Sequence, residues 1–211
     1  MPEIRTTKER LLKAACGIFA EKGYRDTTVA EICEVAEANI AAVNYHFGDK
    51  ESLYDAVWRH AFEITRSTYP LDSGLPEKPS TEEYLYSYAS ALLHRIFSED
   101  EAGLFPRLLN QEMAAPTLAL DKIASEALFP QSQQVEKALK RHFGADYNEH
   151  AFWLCKNSII GQCAFYNFSR PLRARVMDCG EMTEESIDQI ARHIARFSMG
   201  GLNAIQQGKI K

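Results

Sequence analysis

The chain has 211 residues, 45% apolar and 25% charged, with a formal net charge of −5. This is the composition of an ordinary globular protein, long enough for one helical domain or for a small and a larger one. No apolar run approaches the 18 residues of a membrane span, and the opening MPEIRTTKER lacks the apolar core of a signal peptide, so no membrane partner and a cytoplasmic location are expected.

Helical spacing dominates from end to end, without a convincing alternating strand or an internal repeat, so the fold class is all-α. Thr6-Thr-Lys-Glu9 reads as a capping box, in which a hydroxyl and a carboxylate three residues apart each take an orphan backbone N–H. It opens a helix with Leu11, Leu12, Ala15, Ile18 and Phe19 on one side, which Gly23 ends. Thr28-Val-Ala-Glu31 is a second box, followed by apolar Ile32, Cys33 and Val35. Asn39 then caps a short helix in which Ile40, Val43 and Phe47 recur at helical spacing. That helix is too short to stand alone. Its other side carries Ala41, Asn44, Tyr45 and His46, the small and hydrogen-bonding groups that a DNA major groove accepts. A third helix opens at Asp49 and must stop before Pro70.

Pro70–Ser80 holds three prolines and a glycine and is the clearest linker, expected to separate a DNA-reading head from a larger body. Ser80-Thr-Glu-Glu83 is a third box, opening a helix with Leu85, Tyr88, Ala89, Leu92, Leu93 and Ile96 in a stripe. Leu104–Met113, Leu118–Leu128 and Val135–Phe143 read as helices, the last ending at Gly144. Asp146 or Asn148 caps the next, which runs to about Phe168. Leu172–Met182 reads as a loop, and a final helix opens at Thr183. In the last two helices, stripes of Ile159, Cys163 and Tyr166 and of Ile187, Ile190, Ile194 and Ser198 suit either a single core or a helix-bundle contact.

The Thr27–Tyr54 window resembles the helix-turn-helix of TetR/AcrR-family transcriptional regulators, down to Asn44-Tyr45-His46-Phe47 followed by Lys50-Glu51. The Ile4–Gly23 segment, with Ala14, Ala15, Phe19 and Gly23, resembles the family's first helix. One departure is Glu37, where the family usually has glycine; positive φ there costs a non-glycine residue about 1 kcal/mol. The resemblance implies a helix-turn-helix domain over 1–50 and a helical ligand-binding and dimerisation domain over 51–211, with a connecting helix at 49–69 and the Pro-rich loop at 70–80. It implies that Thr28, Asn39, Tyr45, His46 and Lys50 position phosphates while Ile40, Ala41 and Asn44 read base edges. It further implies a homodimer on a palindromic double-stranded DNA operator, joined through Ile159, Cys163, Tyr166, Ile187, Ile190, Ile194 and Ser198. Charge does not argue for DNA: residues 1–60 hold eight Lys or Arg against ten Asp or Glu, so the motif carries that reading alone.

Leu104-Phe-Pro-Arg-Leu-Leu-Asn-Gln-Glu-Met113 with Ala115-Pro-Thr117 resembles the body of a CecR-like branch of the family. A ligand pocket among the middle helices is implied, and Tyr88, Phe105, Arg107, Glu112, Trp153, Asn157 and Phe165 are its candidate lining for a small apolar or aromatic effector. Glu112 stands out as a carboxylate between Leu109 and Met113. The alternative is a DNA-binding regulator that acts through protein contacts and has no ligand cavity. An enzyme is not expected, since no Ser/His/Asp arrangement, phosphate loop or HExxH is present. No cofactor or metal is indicated either: six histidines show no ligand spacing, and five cysteines form no CxxC and suit packing in a reducing compartment.

Overall fold

The computed structural model describes residues 6–144, 147–169, 172, 175 and 182–208. Ile4, Asp146, Cys179 and most of the Leu172–Met182 segment therefore lie outside the described residues; Leu172 and Arg175 within it are helical rather than loop. Among the described residues every regular element is a helix, and none is long and apolar enough to cross a membrane.

The chain forms two compact units, Met1–Thr68 with Glu99–Ala127, and Tyr69–Ser98 with Leu128–Lys211. In the first, α1 (Thr7–Asp26), α2 (Val29–Val35), α3 (Ile40–Phe47) and α4 (Lys50–Thr68) are joined by a 3-10 turn (Glu101–Gly103) and α6 (Leu104–Ala114). A fifth helix, α5 (Thr81–Phe97), lies between in sequence but belongs to the second unit. The packing division thus differs from the functional one expected at residue 50, because α6 returns to pack on α1 and α4. α7 (Ala119–Ile123) follows, then a π turn at Ala124–Leu128.

The capping residues act as their chemistry demands. Thr6 and Glu9 close a full box on α1, and Asp49 accepts the Ser52 amide at 2.7 Å to start α4. Gly23 interrupts α1 at φ +78° without ending it, and the helix resumes to Asp26. Phe19, Leu11, Ala15, Leu53, Val57 and Ala61 are fully buried, each large side chain contributing about 2 kcal/mol by leaving water. Thr65, also buried, donates its hydroxyl to the Ala102 carbonyl at 2.7 Å, tying α4 to the 3-10 turn.

In the second unit, α5 packs on α8 (Phe129–Phe143), α9 (Glu149–Phe168) and α10 (Glu184–Gln206). Ser80 with Glu83 boxes α5, Asn148 caps α9 and Thr183 caps α10. The core joins Leu85, Tyr88, Leu93, Leu139, Phe152 and Cys163, with Arg95 buried beside it. The Arg95 guanidinium donates twice to the Tyr69 carbonyl, at 2.6 and 3.0 Å, and once to Gln131 at 2.7 Å. Burial pushes its pKa down to about 10, so it still carries its charge at neutral pH.

Candidate nucleic-acid interface

α2 and α3 have seven and eight residues, too few for either to hold its shape in isolation. Three kinds of contact hold them. Ile32 and Val43, both fully buried, fasten them to the unit's core. Thr28 accepts the Glu31 amide at 3.2 Å and Asn39 accepts the Ala42 amide at 2.9 Å, each cap contributing about 1 kcal/mol. The Glu31 carboxylate, the other half of the expected box, pairs chiefly with Lys22 of α1. The third contact comes from Arg10, which donates Nε to the Ala36 carbonyl at 3.1 Å and Nη2 to the Glu37 carbonyl at 3.3 Å. Two carbonyls at the C-terminal end of α2 thereby meet a cation, where the helix dipole is negative.

Glu37 has φ +50° and is the one non-glycine residue in the left-handed region among the described residues. The departure from glycine noted in the sequence therefore sits at a real turn, and the strain falls on an ordinary L-residue. Ala38 returns its amide to the Cys33 carbonyl at 2.9 Å, closing the turn behind it. Gly48, at φ +89°, stops α3.

The outer side of α3 is open. Tyr45 is 84% exposed and Ile40 53%, with Ala41 and Asn44 exposed between them. His46 is half-buried, its ring edge-on to Tyr45 at 4.9 Å. Thr28 and Asn39 are exposed at the two helix starts. Lys50 begins α4 with its ammonium 4.3 Å above the Tyr24 ring, and this partial burial lowers its pKa. Lys8 lies 5.8 Å from the Phe47 ring. The acid surplus of this region is partly spoken for: Glu31 faces Lys22, and Asp49 is held below the usual carboxylate range by the Ser52 amide.

Behind Lys50, an aromatic cluster leads inward. Tyr24 lies 5.1 Å from Tyr54, which meets Phe19 edge-on at 4.8 Å. Tyr54 Oη donates to Glu112 Oε1 at 2.8 Å, and Glu112 also accepts the Thr117 amide at 3.0 Å and its hydroxyl at 2.9 Å. Burial and the adjacent carboxylate both push the Tyr54 phenol up, keeping it a donor. The carboxylate that looked anomalous in the sequence is a satisfied buried acceptor joining α6 to α4. Gln111 extends the same brace, donating to the Glu21 carbonyl at 2.8 Å. A side chain at Gly23 would come within 3.1 Å of Gln111 Oε1, and the φ of +78° there already favours glycine.

Residues 11–57 match the family model described as "Bacterial regulatory proteins, tetR family", and residues 81–202, more than half of the chain, match "HTH-type transcriptional dual regulator CecR, C-terminal domain". The chain belongs to the TetR family. It is a DNA-binding transcriptional regulator, not an enzyme, and its body is of the CecR type. The dual regulator CecR of Shigella flexneri is 24% identical over 175 residues, 77% of this chain and 76% of that protein. The transcriptional repressor NicS of Pseudomonas putida is 30% identical over 79 residues, 36% of this chain and 37% of NicS. In fold, the chain is similar to the fatty acid degradation regulator FadR of Bacillus halodurans, with a TM-score of 0.65 at 14% identity over 95% of this chain and 98% of that one.

Within this TetR-family frame, the residues expected to line an effector pocket are dispersed. Tyr88 lies in the core of the second unit, while Phe105 and Glu112 are buried in the first, Phe105 against Phe62 at 4.9 Å. Arg107 donates to the Gly103 and Asp100 carbonyls. Trp153, Asn157 and Phe165 are exposed on α9, so they enclose nothing within their own unit. The residues expected at a dimer interface pack largely within their own unit. Ile159, Cys163, Ile187, Ile194 and Ser198 are buried in the unit's own core, with Tyr166 and Ile190 packed against it. Tyr166 and Ile190 keep part of their surface exposed. The outward apolar side instead carries Trp153 at 55% and Phe165 at 52% exposure, with Leu154, Phe168 and, on α10, Phe197. Arg10, Tyr24 and Gln111 are not legible in the sequence, because their partners, two backbone carbonyls and the Lys50 ammonium, lie far along the chain where no local spacing encodes them.

Proposed function

We propose that this regulator is a cytoplasmic homodimeric repressor that binds a palindromic operator and is released by a small apolar or aromatic effector. The observation that carries the DNA reading is the clamped α3, whose open side presents Ile40, Ala41 and Asn44 for base edges. Thr28, Asn39, Tyr45, His46 and Lys50 surround it as phosphate-positioning groups. The head formed by residues 1–50 reads DNA, and residues 51–211 supply the effector and dimer functions.

The exposed large apolar side chains of α9 and α10 support the dimer, since a cluster of such groups is what a contact with another chain would cover. Open space above Gly200 and Gly201 suits close approach of a partner helix. Repression is supported by relatives such as the repressor NicS and the negative regulator IcaR of Staphylococcus aureus. The Tyr54–Glu112 bond supports effector coupling, because it joins α6 directly to the helix that follows α3. An effector acts only through a difference in affinity between two arrangements of such contacts.

The second reading, regulation by protein contact without an effector, draws support from the exposure of Trp153, Asn157 and Phe165. One experiment tests the main reading. Duplexes selected from a random library are expected to share two inverted half-sites about one helical turn apart. No enrichment, or an enriched sequence read equally well by Asn44→Ala, would defeat the DNA reading. If operator binding holds but the small-molecule substrates of the proteins encoded by neighbouring genes never weaken it, the second reading stands.

A further inference from the structure

The first unit holds a groove of about 680 Å³ between α1, α4 and the start of α6, within the size range of small-molecule sites. Its floor is apolar. Leu12, Ile64 and Leu104 are half-buried there, beside the buried Cys16 and the exposed Gly17. Burial and the nearby Glu101 push the Cys16 thiol up to about 12, so it stays neutral and joins the apolar floor.

The rim is acidic. Glu9, Glu99, Asp100 and Glu101 face the groove against two fixed cations, Lys13 and Arg107, with His60 the remaining titratable base. Lys13 is engaged by Glu101 at 2.9 Å, and the Arg107 guanidinium is turned to backbone carbonyls at 3.0 and 3.1 Å. Both cations already have partners of their own, whereas Glu99 is exposed and makes no ion pair among the described residues. Apolar floor and acidic rim together select the charge as well as the shape of an occupant.

We propose that this groove binds an amphipathic organic cation, its apolar body on Leu12, Ile64 and Leu104 and its charge toward Glu99. The site lies wholly within the unit that carries α3, and it does not depend on the effector reading given above. Its geometry also supplies a clean plug. A Cβ at Gly17 meets nothing within 4 Å, so a larger side chain there fills the groove without a clash, in a helix that gains from losing glycine.

The test is calorimetric titration of the full chain with two ions of one shape and opposite charge, tetraphenylphosphonium and tetraphenylborate, in sodium buffer at 150 mM. Tetraphenylphosphonium is expected to bind once per chain, at least about tenfold more tightly than tetraphenylborate, from the surplus of rim carboxylates at partial screening. Gly17→Leu should abolish this binding while leaving the thermal unfolding midpoint unchanged or raised. Glu99→Lys, a surface change that leaves the core alone, should weaken the cation about tenfold and narrow or reverse the preference. Equal affinity for the two ions, no binding of the cation, or full binding by Gly17→Leu would overturn the assignment. Should Gly17→Leu not fold, an unchanged preference in Glu99→Lys overturns it alone. Operator binding measured on the same samples stays separate: its loss would count against the DNA reading and not against the groove.

Discussion

The guanidinium of Arg10 and the carbonyl of Glu37, 27 residues apart, are joined by a 3.3 Å hydrogen bond across the back of the helix-turn-helix turn. The turn thus combines a strained residue at φ +50° with a cation that holds its carbonyl in place. Arg10→Ala removes donors from two carbonyls and should lower stability by about 1 kcal/mol and weaken operator binding severalfold. Arg10→Lys should recover only part of the loss, since one ammonium cannot reproduce the fork. Denaturant unfolding and gel-shift titration check both.

Glu37→Gly isolates the strain. Glycine takes positive φ freely, so the folded state should gain about 1 kcal/mol, less some of the entropy that glycine adds to the unfolded chain. The expected outcome is an unfolding midpoint equal to or above that of the parent. A clear drop would show that the Glu37 side chain contributes something its exposed position does not reveal.

Tyr54→Phe removes one of the donors to a fully buried carboxylate and leaves Glu112 with Thr117 alone. An acceptor short of a partner in the interior costs about 1 to 3 kcal/mol, visible in urea unfolding. Tyr54→Phe with Glu112→Gln is expected to cost less than the sum of the two single changes, because the charge that needed the donor is gone.

Lys50 tests the interface directly. Lys50→Ala should weaken binding to all duplexes alike and reduce the slope of log affinity against log salt by about 1. Because the ammonium rests on the Tyr24 ring at 4.3 Å, Tyr24→Leu should reproduce part of that loss without removing a charge. Unchanged salt dependence in Lys50→Ala would place the lysine away from the phosphates.

Phe165→Glu tests the dimer surface. A charge in the middle of an apolar contact should shift the monomer–dimer equilibrium by about thirtyfold or more toward monomer, read by sedimentation velocity. The folded monomer should keep its helicity, since Phe165 is 52% exposed and is not part of its core.

Acid should loosen the first unit. Asp49 and Glu31 are both held below their ordinary values of 3.8 and 4.5, by the Ser52 amide and by Lys22 respectively. A carboxylate with a depressed folded pKa stabilises above its unfolded pKa, and that stability is lost as pH falls through the folded value. The unfolding midpoint should therefore fall on going from pH 5 to pH 3. Asp49→Asn keeps a capping oxygen, so it should match the parent near pH 7 and lose less on acidification.

What the sequence by itself determined is everything set by neighbours along the chain. Thr6, Thr28, Asn39, Ser80, Asn148 and Thr183 begin helices where their side chains reach an amide three residues on, and Glu37 marks a turn by the absence of glycine. The same local chemistry, matched position by position, made the family legible before any contact was known. What only the tertiary structure decided is which partner each apolar or charged group finds at long range. One stripe of Ile159, Cys163 and Ile194 suited both a core and an interface; packing assigned it to the core and left Trp153 and Phe165 outside. Glu112 suited a ligand contact until Tyr54, 58 residues away, supplied its proton donor. Helical periodicity states that a side must be covered, but it carries no information about what covers it.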